Sequence, residues 1–414
     1  MKVFITGMGA LSSLGNTVED MFDGLKAGRS GIRHFPEWQQ YNGLHCHLGA
    51  PVPDYDIMKI PRQVRRSMSR MSEMAALATL QALGQADLQP GPALNSPRVL
   101  LIMGSTSGSP VTLETYFRKL FEKHGPEGQL STSFFKVMNH SVAANVAAAI
   151  DFNGALISPS CACATSTQAM IMGWELIKAG LYDMVIAGGA DEIHYMSASV
   201  FDIVQAASRG YNDNPDAASR PFDQSRDGLV VSEGAGVLIL ESEASMLRRR
   251  ARPLAEVRGG AYVCDGTHMS QSSAETMMKV MHEALRRAEL EAGDVDYVNA
   301  HATATLHGDV EEAKAIGGVF GANTYVSSLK GHLGHSLAAC GALEAIASIK
   351  MMQESVIIPT RNLCQVSEDC QGIRHVRELT SKPVNLVLSN NFAFGGMNTS
   401  LLLSAPPADA VTGD

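Results

Sequence analysis

No stretch of about 18 consecutive apolar residues occurs in the chain, so no helix is expected to cross a membrane. Positive charge is also in short supply. The 33 lysines and arginines stand against 42 acids, a net charge of −9. That balance excludes general nucleic-acid binding and leaves only local basic patches to dock an acidic partner. The seven cysteines are odd in number and irregular in spacing, so they make no disulfide framework. They point to a reducing compartment, the cytoplasm. The N-terminal run MKVFITGMGALSSLG lacks the third glycine of a dinucleotide fingerprint, because Ser12 stands in its place. It reads as a strand over residues 2–6 and a glycine turn, not as a signal peptide.

What the chain has is bulk and a small, apolar texture. Its 414 residues, 45% hydrophobic, suffice for two or three domain-sized units around a large core. Strand and helix patterns alternate throughout, which predicts α/β layers with largely parallel pairing. A helix is expected over 18–25. Arg62, Arg65, Arg66 and Arg70 fall at helical spacing on roughly one side, either as a solvated face or as a docking patch. Residues 134–150 read as one apolar, alanine-rich helix, and 228–241 as a strand pair. The basic run LRRRARP, 247–253, reads as a solvated connector, dividing the chain into halves at 1–250 and 251–414. After it the strand–glycine pattern restarts at 255–262, as though one unit were repeated. The tail after Ser404 reads as frayed.

The stretch that organises the rest is SPSCACATSTQAMIMGWELIKAG, 158–180. Its apolar residues surround the helix axis, so the helix is expected to be buried, with Gly180 as its stop. Cys163 falls at the N-terminal edge, where free N–H groups favour a thiolate. The plainer alternative is that Cys163 and Cys161, two residues earlier, are both just small buried residues. Three later clusters share one form, a strand that ends in polar residues: 299–309 with His301, 329–335 with Lys330 and His335, and 389–396 with two phenylalanines. Ligands collect beyond the carboxyl ends of strands in such sheets. His307 and His332 compete with His301 and His335 for any role. No CxxC or HxxxH spacing joins Cys163 to these histidines, so zinc is not expected.

These segments together resemble the elongating β-ketoacyl-acyl carrier protein synthases, condensing enzymes of the thiolase superfamily. The resemblance rests on Ala162–Ser166, Pro221–Asp223 with Arg226–Gly228, His301 with Thr303, Thr305 and Gly308-Asp309, Lys330 with Gly334–Ser336, and Asn391–Gly396 with Asn398. It covers about residues 1–405. It implies an α/β thiolase-like fold, two pseudo-repeated halves in α-β-α-β-α layers. It implies Cys163 as the acyl-accepting nucleophile and His301 and His335 as the pair that binds the malonyl thioester. Lys330 and Glu344 are implied as a buried ordering pair, with Asp309 in support. The backbone N–H groups of Cys163 and Phe394 are implied as an oxyanion hole. Thr303 and Thr305 would hold phosphopantetheine, Phe392 and Phe394 would gate, and Ser107 would influence acyl-pocket depth. Arg62 and Arg66 match a carrier-protein docking patch. Asn299, Glu344, Ser389 and Asn390 match a structural monovalent-cation site. No organic cofactor is implied. The partner is acyl carrier protein, and the assembly a homodimer or a heterodimer with a related subunit.

Departures from the family pattern bear on the substrate. Ala302, Ala304, Ala338 and Ala393 replace glycine, serine, glycine and glycine; Met397 replaces threonine and Leu229 phenylalanine. Ala393 is expected to stiffen the phenylalanine loop, because a methyl penalises positive φ. Fatty-acid elongation and a polyketide or aryl polyene pathway both fit. A thiolase is disfavoured because NNFAFGGMN lacks a second reactive cysteine. His335 argues against an initiating synthase, and Cys163 against a non-catalytic chain-length subunit.

Overall fold

The computed structural model describes residues 1–266 and 273–407; the tail from residue 408 lies outside the described residues. Eleven strands form one hydrogen-bonded sheet. In chain order they are β1 (Val3–Leu11), β2 (Val99–Gly104), β3 (Ala155–Ile157), β4 (Met184–Asp191), β5 (Gly234–Ser242), β6 (Ala255–Cys264), β7 (Tyr297–Asn299), β8 (Tyr325–Ser327), β9 (Arg374–His375), β10 (Leu386–Ala393) and β11 (Met397–Ser404). Their order across the sheet is β9-β8-β7-β10-β11-β6-β1-β5-β4-β2-β3.

Two runs of five strands repeat one plan. Numbered from its own first strand, each is laid out 1-5-4-2-3, as β1-β5-β4-β2-β3 and β6-β11-β10-β7-β8. The pairings repeat too: antiparallel between the first, fifth and fourth, parallel between the fourth, second and third. The runs meet only through Phe4–Glu256 and Ile5–Ala255. So narrow a seam lets the sheet fold into two layers.

Helices fill the three remaining layers. On the outside of the first run lie α1 (Arg70–Gln85) and α2 (Ser141–Ala149). Between the runs lie α3 (Thr165–Lys178) and, later in the chain, α6 (Cys340–Glu354). Outside the second run lie α4 (Ala274–Ala288) and α5 (Gly308–Phe320). Strand alternation feeds separate cores. Leu238 and Leu240 of β5 enter the central core with Trp174 and Ile346, while Val237 and Ile239 enter the outer core with Met74 and Leu83. Covering on both faces explains why these strands are nearly all apolar.

Several sequence expectations change. Half of the interfaces in the large sheet are antiparallel; one of them arises where β10 turns straight back into β11 at Gly395 and Gly396, which hold φ of +90° and +78°. β1 does not stop at Thr6. It runs through Gly7 and Gly9, where a Cβ would lie 2.1 Å from Ala82 O and 1.9 Å from Ala78 O of α1. Those glycines admit a helix against a strand; they do not make a turn.

The arginine row is broken between Arg62–Arg65 and α1. Arg70 leaves the row to pair with buried Glu233 at 2.7 Å. Residues 134–150 split at 138–140 into Ser131–Val137 and α2, and Phe134 and Phe135 are exposed. Only one strand, β5, forms over 228–241; Leu229 and Val231 make isolated bridges instead. The basic connector is half helix, since Glu243–Arg249 is helical and Arg249 pairs with buried Glu241.

Candidate active site

α3 is buried as its composition requires, with Met170, Ile171, Trp174 and Ile177 in the central core. Gly180 at φ +73° closes it, its N–H donating to Ile177 O. Before it comes a single tight turn, Ala162–Ala164, with Ala162 at φ +46°. Cys163 sits in that turn, 6% exposed. The second half delivers its side chains from the ends of parallel strands. His301 follows β7, and Lys330 and His335 follow β8.

The distant residues converge. His335 Nε2 lies 2.9 Å from Cys163 Sγ. The His301 and His335 rings cross at 85° with centroids 5.3 Å apart. Donor atoms of Cys163, His301 and His335 all fall within 4.8 Å of one another. Cys163, both histidines, Thr303, Thr305, Phe392 and Phe394 line one cavity of about 280 Å³. The Thr303 and Thr305 hydroxyls are 3.3 Å apart. Phe201 adds an apolar wall, its ring centroid 5.5 Å from that of Phe394 and 6.3 Å from that of His335. Behind the histidines, Lys330 Nζ pairs with Glu344 Oε1, both buried.

The electrostatics fix the resting protonation. Burial, then the Lys330 charge, then His335 hold His301 well below the ordinary imidazole value; burial and Lys330 do the same to His335. Both are neutral at physiological pH. Burial pushes the Cys163 thiol up from 9.0 to about 12, with Lys330 opposing. That rise corresponds to about 4 kcal/mol in favour of the thiol, more than the ~2 kcal/mol a helix terminus supplies at best. The expected thiolate is therefore absent at rest, and the pair is thiol and neutral imidazole. Burial works against the Lys330 ammonium, and the Glu344 carboxylate beside it overcomes that and holds Lys330 above its ordinary value. Three close donors are also the form of a metal site, but the Lys330 charge that depresses both histidines opposes a dication there.

Other candidates fall elsewhere. His332 is buried with its ring nitrogens against Arg29 O and Pro359 O, a structural role, while His307 lines the cavity without joining the Cys163 cluster. Asp309 is fully buried outside the cavity lining. It accepts N–H bonds from Phe222 at 2.8 Å and Thr305 at 3.2 Å, and burial pushes it up to about 6. Ser107 is exposed and does not line the cavity, because Ser105 Oγ and Thr106 N are tied to Asp191 and leave it at the outward point of the loop. Arg62 and Arg66 are exposed and outside the cavity lining. Asn299 donates to Ser389 Oγ at 3.2 Å, and its own Oδ1 is buried with no hydrogen-bond partner. Asn390 does not join them; strand alternation turns it to Ser400 and Met281. Ala393 is a strand residue paired with Met397, so its methyl meets no positive φ; that burden falls on Gly395 and Gly396.

One neighbour, Glu312, escaped the sequence reading, and another, Arg226, was quoted there only as part of a motif. Glu312 lines the cavity and accepts N–H bonds from His301 at 2.8 Å and Ala302 at 2.6 Å. An acid on the inward face of α5, just after the His301 loop, was the available signal. Arg226 donates to Thr305 O and Leu306 O and so holds that loop from outside.

A buried cysteine beside two neutral histidines, on a doubled five-stranded plan, defines a thiolase-like acyl-transferring condensing enzyme. Comparison with known proteins gives the family. Residues 1–245 match the β-ketoacyl synthase N-terminal domain and 254–364 its C-terminal domain, and the chain belongs to that family. The 3-oxoacyl-acyl-carrier-protein synthase 1 of Escherichia coli (strain K12) is 36% identical over 406 residues, 97% of this chain and 98% of its own. A β-ketoacyl synthase from Burkholderia phymatum STM815 superposes with a TM-score of 0.94 at 39% identity, covering 98% of this chain and all of that one. The structure titled the ishigamide ketosynthase/chain length factor follows at TM-score 0.90 and 28% identity, covering 98% and 99%. No helix among the described residues is long and apolar enough to cross a membrane.

Proposed function

We propose that the protein condenses an acyl group with a malonyl group, both delivered by acyl carrier protein, into a 3-ketoacyl thioester. The observation that carries this reading is the 2.9 Å contact between Cys163 Sγ and His335 Nε2 beside His301, in a cavity with a polar and an apolar wall. In the first step the thiol attacks the acyl thioester and its proton passes to the departing carrier thiol, leaving the acyl group on Cys163. In the second, malonyl-carrier protein binds and its C–CO₂ bond breaks, releasing CO₂. The electron pair becomes an enolate whose oxygen receives N–H bonds from the neutral imidazoles of His301 and His335. The enolate carbon attacks the thioester, a C–C bond forms, and Cys163 leaves and regains a proton.

Backbone N–H groups of Cys163 and Phe394 serve as the oxyanion hole, and Phe392 and Phe394 as the gate. Thr303 and Thr305 serve as hydrogen-bonding partners of the phosphopantetheine arm, and Glu344 and Asp309 as supports. Exposed Arg62 and Arg66 serve as part of the carrier docking patch, in keeping with the acidic partner they suit. Ser107 acts on the acyl pocket only if a second subunit covers it. A homodimer would do so: β3, with Leu156 exposed, is an open end of the sheet, and Phe121, Phe134 and Phe135 are exposed apolar side chains that a partner would cover. A monovalent cation would find the unpaired Asn299 Oδ1 and Glu344, without Asn390. The halves divide at 250/251, between the helix that ends at Arg249 and β6. Seven unpaired cysteines support a cytoplasmic setting.

Fatty-acid elongation is the first pathway reading. The alanines at 302, 304, 338 and 393, which depart from the elongating pattern, support a polyketide or aryl polyene pathway as the second. Single-turnover assays with malonyl-carrier protein and a panel of acyl-carrier proteins test both. Product formed by Cys163→Ala sinks the assignment, and the chain-length profile separates the pathways.

A further inference from the structure

Asn391 lies on β10, fully buried, and touches four functional elements at once. Its Nδ2 donates to Glu344 Oε2 at 2.7 Å. The same nitrogen lies 3.5 Å from His301 Nδ1 and 3.4 Å from Cys340 Sγ. Its Oδ1 accepts the hydroxyl of Thr167, in the first turn of the nucleophile helix α3. Its main-chain oxygen is held by Thr399 Oγ1 at 2.9 Å. The amide cannot be turned round: a carboxylate on one side requires the NH₂ there, and the hydroxyl takes the oxygen. Room for this arrangement comes from Gly341, where a Cβ would lie 1.9 Å from Thr167 Oγ1 and 2.7 Å from Asn391 Oδ1.

An amide nitrogen has no lone pair to offer a ring N–H. Facing it, His301 Nδ1 must be the acceptor, so the ring proton sits on Nε2. We propose that Asn391 is a positioning residue that fixes His301 as its Nε2–H tautomer and ties that choice to the Lys330–Glu344 pair and to the start of α3. His335 has no such partner, its Nδ1 being buried without a hydrogen bond. The two imidazoles are therefore unequal: His301 is a fixed donor, and His335 is free to exchange the Cys163 proton. Second-layer groups of this kind alter activity 10- to 100-fold when removed around other reactive centres.

The inference rests on the condensing reading above, so two partial reactions are measured on the full chain. These are transfer of an acyl group from acyl-carrier protein to Cys163, and CO₂ release from malonyl-carrier protein. Asn391→Leu removes the donor. Asn391→Asp places an acceptor against Nδ1 and pulls the proton there. Asn391→Ser keeps a small polar group should either fail to fold. The expected result is a 10- to 100-fold loss of CO₂ release in Leu and Asp, with acylation within about threefold of wild type. The Asp variant should also show a new ionisation in the pH profile of CO₂ release, because a carboxylate raises the imidazole's proton affinity. Equal losses in both partial reactions, or none in CO₂ release with an unchanged profile, overturn the role of Asn391. Failure of the wild type to release CO₂ overturns the condensing reading instead.

Discussion

The chain builds the entrance to its central helices twice. In the first half a residue at φ +46°, Ala162, opens a tight turn at Ala162–Ala164 that feeds α3. In the second, Leu337 at φ +51° opens a turn at Leu337–Ala339 that feeds α6. The two starts touch: Ala342 N donates to Ser166 Oγ at 3.0 Å, and Cys340 Sγ to Cys163 O at 3.1 Å. One backbone device thus carries Cys163 in one half and, just ahead of it, His335 in the other. The difference lies in which side chains each half brings. The first half brings Cys163 and Phe201 to the cavity, whereas the second brings His301, His335 and Glu312, with Lys330 and Glu344 behind them. A duplicated scaffold can therefore place the sulfur in one copy and the imidazoles, with the Lys330–Glu344 pair behind them, in the other.

The largest expected break in that comparison comes from the buried pair. Lys330→Ala leaves the Glu344 carboxylate buried without its partner and should cost about 3–5 kcal/mol in denaturant unfolding. Cys163→Ala removes a thiol and leaves no buried charge without its partner, so it should change stability by far less. Similar losses from both would contradict the stabilising part of the Lys330–Glu344 pair.

Acidity offers the next test. Burial pushes Glu312 up to about 8, despite its bonds to Ala302 and His301 N–H, and Asp309 up to about 6. Both lose their protons at lower pH when unfolded. Their stabilising contribution is thus complete below about 4 and is lost as pH rises through 6 and then 8. Unfolding free energy should fall by a few kcal/mol across that window, and Glu312→Gln should flatten the slope above pH 6. A slope unchanged by Glu312→Gln would place the titration elsewhere. A smaller effect sharpens the contact between the two helix starts. Gly341→Ala should cost about 1–3 kcal/mol by overpacking against Thr167 and Asn391. Gly173→Ala in α3 meets only side chains, Val185 at 3.0 Å and Leu240 at 3.4 Å, and should cost less.

The reactive constellation was legible because its residues follow strands in small, polar clusters, and the order of those clusters names the family. The layered fold was legible from the alternation of elements. What stayed hidden depends on partners remote in sequence. Gly7 and Gly9 look like a turn until Ala78 and Ala82 are laid across them. Arg70 looks like surface until Glu233 is found beside it. Asn391 passes for a motif residue until Glu344 and His301 are placed on the same amide nitrogen. The resting state of Cys163 was misjudged for a related reason. A helix edge is visible in sequence, but the depth of burial that outweighs it is not.

That depth has a consequence for the life of the enzyme between turnovers. Burial pushes the sulfur, 6% exposed, up to about 12, which disfavours the thiolate that peroxides and soft alkylating agents attack. The sulfur is in effect kept in storage at the foot of the cavity, and on the condensing reading it is called on only when an acyl thioester reaches it beside His335.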